Sequence, residues 1–197
     1  MYDKLFDAFL LSKADKRHHG YTNTYAKLFE AIGEPDRLCE VGIKAGKSLW
    51  SWEQAFSDCN IYGIDISKKG DLEPIRPNLY ERKRIHVLWE CDSANVDQQY
   101  RMEKFLGFPV DVIIDDGAHD VQAQIGTFLN LRGMAEKAYV VEDVLGEFNL
   151  GILKAVATEI GYEYYIQSST KPLEGNAKDQ YIMVLYKKGS EASKINV

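Results

Sequence analysis

Five short apolar runs, Leu38 to Val41, Ile61 to Ile64, Ile85 to Trp89, Val110 to Ile114 and Tyr139 to Val141, recur along the chain with intervals long enough for crossover helices. Parallel neighbours in a sheet can be joined only by such crossovers, so the alternation predicts strand-helix units packed into a parallel sheet. The pattern breaks near the end. Tyr162 to Ile166 and Tyr181 to Tyr186 follow one another with only the polar loop SSTKPLEGNAKD between them, which predicts an antiparallel hairpin. The expected fold is therefore α/β: a seven-stranded, mostly parallel sheet with helices on both faces and an antiparallel C-terminal hairpin. Ligands of such sheets bind at the carboxyl ends of the strands, and chemistry is to be sought there.

Two helical segments precede the first strand, Tyr2 to Leu11 and Tyr21 to Ile32; in the second, Tyr25, Leu28, Phe29 and Ile32 recur at helical spacing. The 197 residues, 45% apolar and 12% aromatic, suit one domain with a substantial core. That domain is expected over residues 1–188, with residues 1–36 as a helical lid region and the polar stretch 189–197 as a flexible tail. No stretch approaches the roughly 20 apolar residues of a membrane span, and the start MYDKLFDAFLLSK is acidic where a signal peptide is basic, which points to a cytoplasmic protein without a membrane partner. A net charge of -6 argues against nucleic acid, whose binding rests on phosphate neutralisation. The cluster Arg82, Lys83 and Arg84 reads as a solvated turn. Cys39, Cys59 and Cys91 lack zinc-like spacing and read as reduced, buried thiols. A small-molecule acceptor is the expected partner, and a homo-oligomer stays open.

The first strand ends in Glu40-Val41-Gly42-Ile43-Lys44-Ala45-Gly46-Lys47-Ser48, where glycines let the backbone turn tightly and approach a ligand beside a helix N-terminus. A plain strand-to-helix turn would look similar. A phosphate-binding loop needs four residues between its glycine and the Gly-Lys-Ser triplet, and only three separate Gly42 from Gly46. Asp65 closes the second strand about 20 residues further on, where a carboxylate can accept both hydroxyls of a ribose. Glu40 adds an acid suited to a cationic ligand, and S-adenosylmethionine carries both an ammonium and a sulfonium. After the third strand, Asp92 and Ser93 could hold an adenine amino group, or Asp92 could cap a helix.

Acids gather at two adjacent strand ends. DVII runs into Asp115-Asp116-Gly117-Ala118-His119-Asp120, and AYVV runs into Glu142-Asp143. Carboxylates so grouped repel one another unless a cation or proton compensates. Oxygen ligands without a thiolate suit Mg2+, Mn2+ or Ca2+ better than zinc. His119, three residues beyond Asp116, could accept a proton near neutral pH. Solvated loop acids and an ordinary exposed histidine are the plain alternative.

These motifs, together with ADKRHHGYTNTY at Ala14 to Tyr25, EVGIKAGKSLWSW at Glu40 to Trp52, IYGIDI, IIDDGAHD and VVEDV, resemble the Rossmann-like class I S-adenosylmethionine-dependent methyltransferases, in particular the metal-dependent sugar O-methyltransferases of macrolide biosynthesis and the cephalosporin hydroxylase-like family. The resemblance implies Asp116, Glu142 and Asp143 as metal ligands and His119 as general base. It implies Glu40, Gly42, Ser48 and Asp65, with Gly46, Asp92 and Ser93 beside them, as the cofactor site. Lys16, His19, Tyr21 and Tyr25 would lie over the site as a lid or contact the acceptor, although Tyr21 and Tyr25 could equally be helix packing. The family's serine before this histidine is Ala118 here, and its leading threonine is Ala14. The macrolide enzymes have a further N-terminal domain. The implied activity is S-adenosylmethionine-dependent and divalent-metal-dependent O-methylation of a sugar or similar vicinal diol. A catechol-type O-methyltransferase, a P-loop nucleotide enzyme using Lys47, and a non-catalytic cofactor-binding module are the alternatives.

Overall fold

The computed structural model describes residues 1–68, 81–169 and 181–196. Its sheet has seven strands: β1 (Arg37–Val41), β2 (Asn60–Ile64), β3 (Ile85–Leu88), β4 (Val110–Asp115), β5 (Ala135–Val144), β6 (Tyr162–Ser168) and β7 (Tyr181–Lys187). The spatial order is β3-β2-β1-β4-β5-β7-β6. The first five strands pair parallel, and β7 runs antiparallel to both β5 and β6. The expected Rossmann-like arrangement is thus observed. Most of the β2–β3 crossover and the turn of the hairpin lie outside the described residues.

Among the described residues, six α-helices flank the sheet: α1 (Tyr2–Ser12), α2 (Tyr21–Ile32), α3 (Lys47–Ala55), α4 (Gln99–Leu106), α5 (Val121–Leu131) and α6 (Gly146–Glu159). Side chains of the central strands alternate between two cores. Leu38, Val112, Ile114 and Val140 meet α1, α2 and α3 on one face, whereas Cys39, Ile113, Tyr139 and Val141 meet α4, α5 and α6 on the other. The first core is aromatic where the helices converge: Trp52 packs edge-on against Phe9 and Tyr25 with centroids 5.0 and 4.9 Å away. Its indole is buried and packs α3 against α1 and α2.

Three local readings change. β5 runs through ten residues where three apolar ones stood out, because ladder bonds to β4 and β7 carry the extended backbone past the apolar run. Residues expected to fray form a 3₁₀ segment, Glu191–Asn196, whose Ala192 and Ile195 are buried in the first core; spaced three apart, they share one face of that helix. Arg84 is not a solvated turn residue, since it donates to the carbonyls of Phe56, Cys59 and Glu53 at 2.7 to 2.9 Å and closes the C-terminus of α3. The three cysteines are buried and unpaired, as expected. No helix among the described residues is long and apolar enough to cross a membrane.

Candidate active site

The carboxyl ends of β1, β2, β4 and β5 open into one cavity of about 640 Å³. Gly42 leaves β1 at φ 87° and Gly46 stands at φ 68° just before α3, both in the region that favours glycine. Gly42 has a second constraint. A Cβ there would lie 2.1 Å from the Asp116 carbonyl oxygen and 2.9 Å from Gly117 Cα, so the glycine loop and the acidic loop touch backbone to backbone. Asp65 locks the glycine loop from below. One carboxylate oxygen accepts from the amides of Ile43 at 2.7 Å and Lys44 at 3.3 Å, and the other accepts from Ser67 at 2.7 Å. Asp92 accepts from the Ala94 amide at 3.0 Å, and the Ser93 hydroxyl lies 2.9 Å from that of Thr127 on α5.

Gly42, Ser48, Asp65, Asp92 and Ser93 all line the cavity. Glu40 does not. It is fully buried behind the wall, where one oxygen accepts from the Trp52 indole at 3.0 Å and the other lies 3.0 Å from Lys16 Nζ. Burial raises its pKa against the pull of Lys16. Five aspartates, Asp15, Asp65, Asp92, Asp116 and Asp143, line the cavity against the three lysines Lys13, Lys44 and Lys47, a balance suited to a cationic ligand and poorly suited to a triphosphate.

The acidic loops divide into two groups. Asp116, His119 and Asp143 present ligand atoms that all lie within 4.8 Å of one another. His119 Nε2 is 3.2 Å from Asp116 Oδ1 and 3.5 Å from Asp143 Oδ2, and all three residues line the cavity. His119 and Asp143 both have φ 53°, and two more of the five non-glycine residues at positive φ among the described residues, Lys13 and Lys44, line the same cavity. Such backbone costs of order 1–3 kcal/mol per residue and persists where surrounding contacts impose it, commonly at functional sites.

Glu142 belongs to the second group. Expected beside Asp116 and Asp143, its carboxylate instead accepts from Lys16 Nζ at 2.7 and 2.8 Å and from the Tyr25 hydroxyl. Adjacent strand residues point to opposite faces, which carries Glu142 toward α2. Lys16 was expected over the site and is instead 1% exposed beneath it, bonded also to Asp116 Oδ2 at 2.9 Å. Burial alone would lower the Lys16 pKa, but Asp116, Glu142 and Glu40 outweigh it and hold it well above the ordinary value. Burial would raise that of Asp116, yet Lys16 and His119 hold it below the usual range. Glu142 is raised by burial.

Tyr21 and Tyr25 take the packing reading, and neither lines the cavity. Each is buried in the core, and Tyr21 donates to Asp143 Oδ1 at 2.6 Å while Tyr25 donates to Glu142. His19 lines the cavity, stacks on Tyr21 with centroids 5.3 Å apart, and has Nδ1 3.9 Å from Asp143 Oδ1. Ile66, Ala123 and Thr127 line the cavity without having been singled out. Ile66 alone gave a signal, an apolar residue directly after the strand-ending Asp65; it is 68% exposed.

No family model matches the sequence. Among characterised proteins, the chain is 27% identical over 172 residues to the 8-demethyl-8-(2-methoxy-alpha-L-rhamnosyl)-tetracenomycin-C 3'-O-methyltransferase of Streptomyces olivaceus, across 74% of this chain and 41% of that protein. It is 26% identical over 136 residues to the 8-demethyl-8-alpha-L-rhamnosyl tetracenomycin-C 2'-O-methyltransferase of the same organism, across 64% of this chain and 33% of that one. The chain thus spans less than half the length of either relative. Among solved structures, the MycE methyltransferase of the mycinamycin pathway with Mg and SAH superposes with a TM-score of 0.67 at 21% identity, covering 95% of this chain and 55% of that one. An O-methyltransferase from Bacillus cereus with SAH gives 0.62 at 14% identity, covering 94% and 91%. The structural likeness establishes the fold as that of these methyltransferases.

Proposed function

We propose that the chain catalyses S-adenosylmethionine-dependent, divalent-metal-dependent O-methylation of a hydroxyl on a sugar or similar vicinal diol. One observation carries the reading: the Asp116, His119 and Asp143 group and the Asp65-locked glycine loop face the same cavity. The names of the relatives, which methylate rhamnosyl groups, favour a sugar-bearing acceptor.

The residues present fit both groups the reading requires. Asp65 stands at a strand end within reach of a ribose, and the aspartate-rich lining suits a sulfonium. The two carboxylates Asp116 and Asp143 form the core of a donor set for a hard divalent ion, with the His119 imidazole beside them. When bound, S-adenosylmethionine supplies an electrophilic methyl group and the ion supplies Lewis-acid stabilisation of negative charge on the acceptor oxygen. Asp116 and Asp143 would hold the ion, with Tyr21 fixing Asp143 through its hydroxyl. The glycine loop and the first turn of α3 would hold the amino-acid end of the cofactor, Asp65 its ribose, and Asp92 with Ser93 its adenine. His119 would take the acceptor proton at Nε2, the atom turned toward Asp116 and Asp143.

Calorimetry with S-adenosylmethionine and with ATP, followed by transfer of labelled methyl to a rhamnoside with and without chelator, tests the reading. Binding of the first ligand alone and chelator-sensitive labelling are expected. Binding of ATP alone would establish the P-loop reading in its place, and binding without turnover on glycosides or catechols would leave a cofactor-binding module. Labelling of catechols in preference to glycosides would transfer the activity to that acceptor class.

A further inference from the structure

We infer that Lys16 is a positioning residue for the proposed metal site: an internal cation that withholds Glu40 and Glu142 from the ion and presents one oxygen of Asp116 to it. The inference rests on the metal reading above. Four carboxylates, Glu40, Asp116, Glu142 and Asp143, converge where β1, β4 and β5 end, and a divalent ion could choose among them. The Lys16 ammonium removes that choice. The ammonium donates to Asp116 Oδ2 at 2.9 Å and to the two Glu142 oxygens at 2.8 and 2.7 Å, and it pairs by charge with Glu40 at 3.0 Å.

Both glutamates are also held by a second neighbour, Glu40 Oε2 by the Trp52 indole and Glu142 by the Tyr25 hydroxyl. They are 0% and 2% exposed and neither lines the cavity. Asp116 is shared between the two groups: Oδ2 belongs to Lys16, and Oδ1 turns to His119 and the cavity face. Lys16 does not line the cavity either, so it acts through the carboxylates and touches neither acceptor nor cofactor. The connector between α1 and α2 thus supplies a fixed wall to the site, with Lys16 as its anchor.

Titration with Mn2+ followed by electron paramagnetic resonance reads the ion directly, without turnover. The wild-type protein is expected to bind Mn2+, and Glu142→Gln to bind it within about threefold of wild type, with the same spectrum. Lys16→Met exposes the buried carboxylates to the ion, and its affinity should change by about tenfold or more with an altered spectrum, a change that Lys16→Arg largely reverses. Wild-type binding that Glu142→Gln abolishes would overturn this assignment and leave the metal reading intact. An unchanged affinity and spectrum in folded Lys16→Met would overturn it too. Absence of Mn2+ binding in wild type and both variants would overturn the metal reading and this inference together. Should Lys16→Met fail to fold, the Glu142→Gln result decides.

Discussion

The Lys16 ammonium lies 2.7 Å from Glu142 Oε2, joining residues 126 positions apart in the sequence and both nearly inaccessible to water. Removing one member of a buried ion pair leaves the other charge uncompensated and typically costs about 3–5 kcal/mol. Lys16→Met is therefore expected to lower the unfolding free energy, measured by urea titration, by that order. Lys16→Met combined with Glu142→Leu should be less destabilised than the single lysine variant, because it removes a charge the single variant strands. Equal destabilisation of the two would mean that the pair is not coupled.

Asp65 binds three backbone amides of the cavity wall. Asp65→Ala should weaken S-adenosylmethionine by roughly 1.5–3 kcal/mol, through loss of a charge-assisted bond and of the loop's fixed shape. Calorimetry measures it. Asp65→Asn, which retains one acceptor oxygen, should fall between, and identical affinities for all three proteins would remove Asp65 from the site.

Gly42 touches the Asp116 backbone, so Gly42→Ala must displace one loop from the other. The variant also meets a positive φ that alanine disfavours. Expected are a stability loss of about 1–3 kcal/mol and weakened binding of cofactor and Mn2+ together. A loss confined to the cofactor would show that the two loops move independently.

His119→Ala should lower turnover by about 10² to 10⁴ while leaving cofactor affinity nearly unchanged, because proton transfer belongs to the transition state. Stopped-flow transfer assays and Mn2+ titration separate the possibilities. Retained metal affinity with lost turnover marks a base; a steep loss of metal affinity marks a ligand, as its place among the grouped donors allows.

The Cys59 thiol is pushed up to about 12, mainly by burial. Since the thiolate is the reactive form, labelling by an aromatic disulfide reagent at pH 8 should be negligible in the native protein. All three cysteines, buried in the folded chain, should label once it is unfolded in guanidinium. Rapid native labelling at pH 8 would contradict the packing around α3.

The parallel direction of the first five strands, the final hairpin and the loops carrying Gly42, Asp65, Asp116 and Asp143 were legible because each rests on local pattern: apolar runs of strand length, glycines at turns, acids at strand ends. The partners of Glu40, Lys16 and Glu142 were not. A one-residue step along β5 separates Glu142 from Asp143 and sends them to opposite faces, and no local pattern tells which face holds a lysine from the other end of the chain.

The sequence by itself determined the strand and helix units, their joining and the set of residues gathered at the carboxyl edge of the sheet, since periodicity and turn chemistry act over a few residues. Tertiary structure alone decided how the carboxylates are divided: Asp116 and Asp143 face the cavity with His119, while Glu40 and Glu142 close around Lys16. The reason is electrostatic. Buried charges are tolerated only in pairs, and pairing is a property of distances that exist only once the connector before α2 has packed against the ends of β1, β4 and β5.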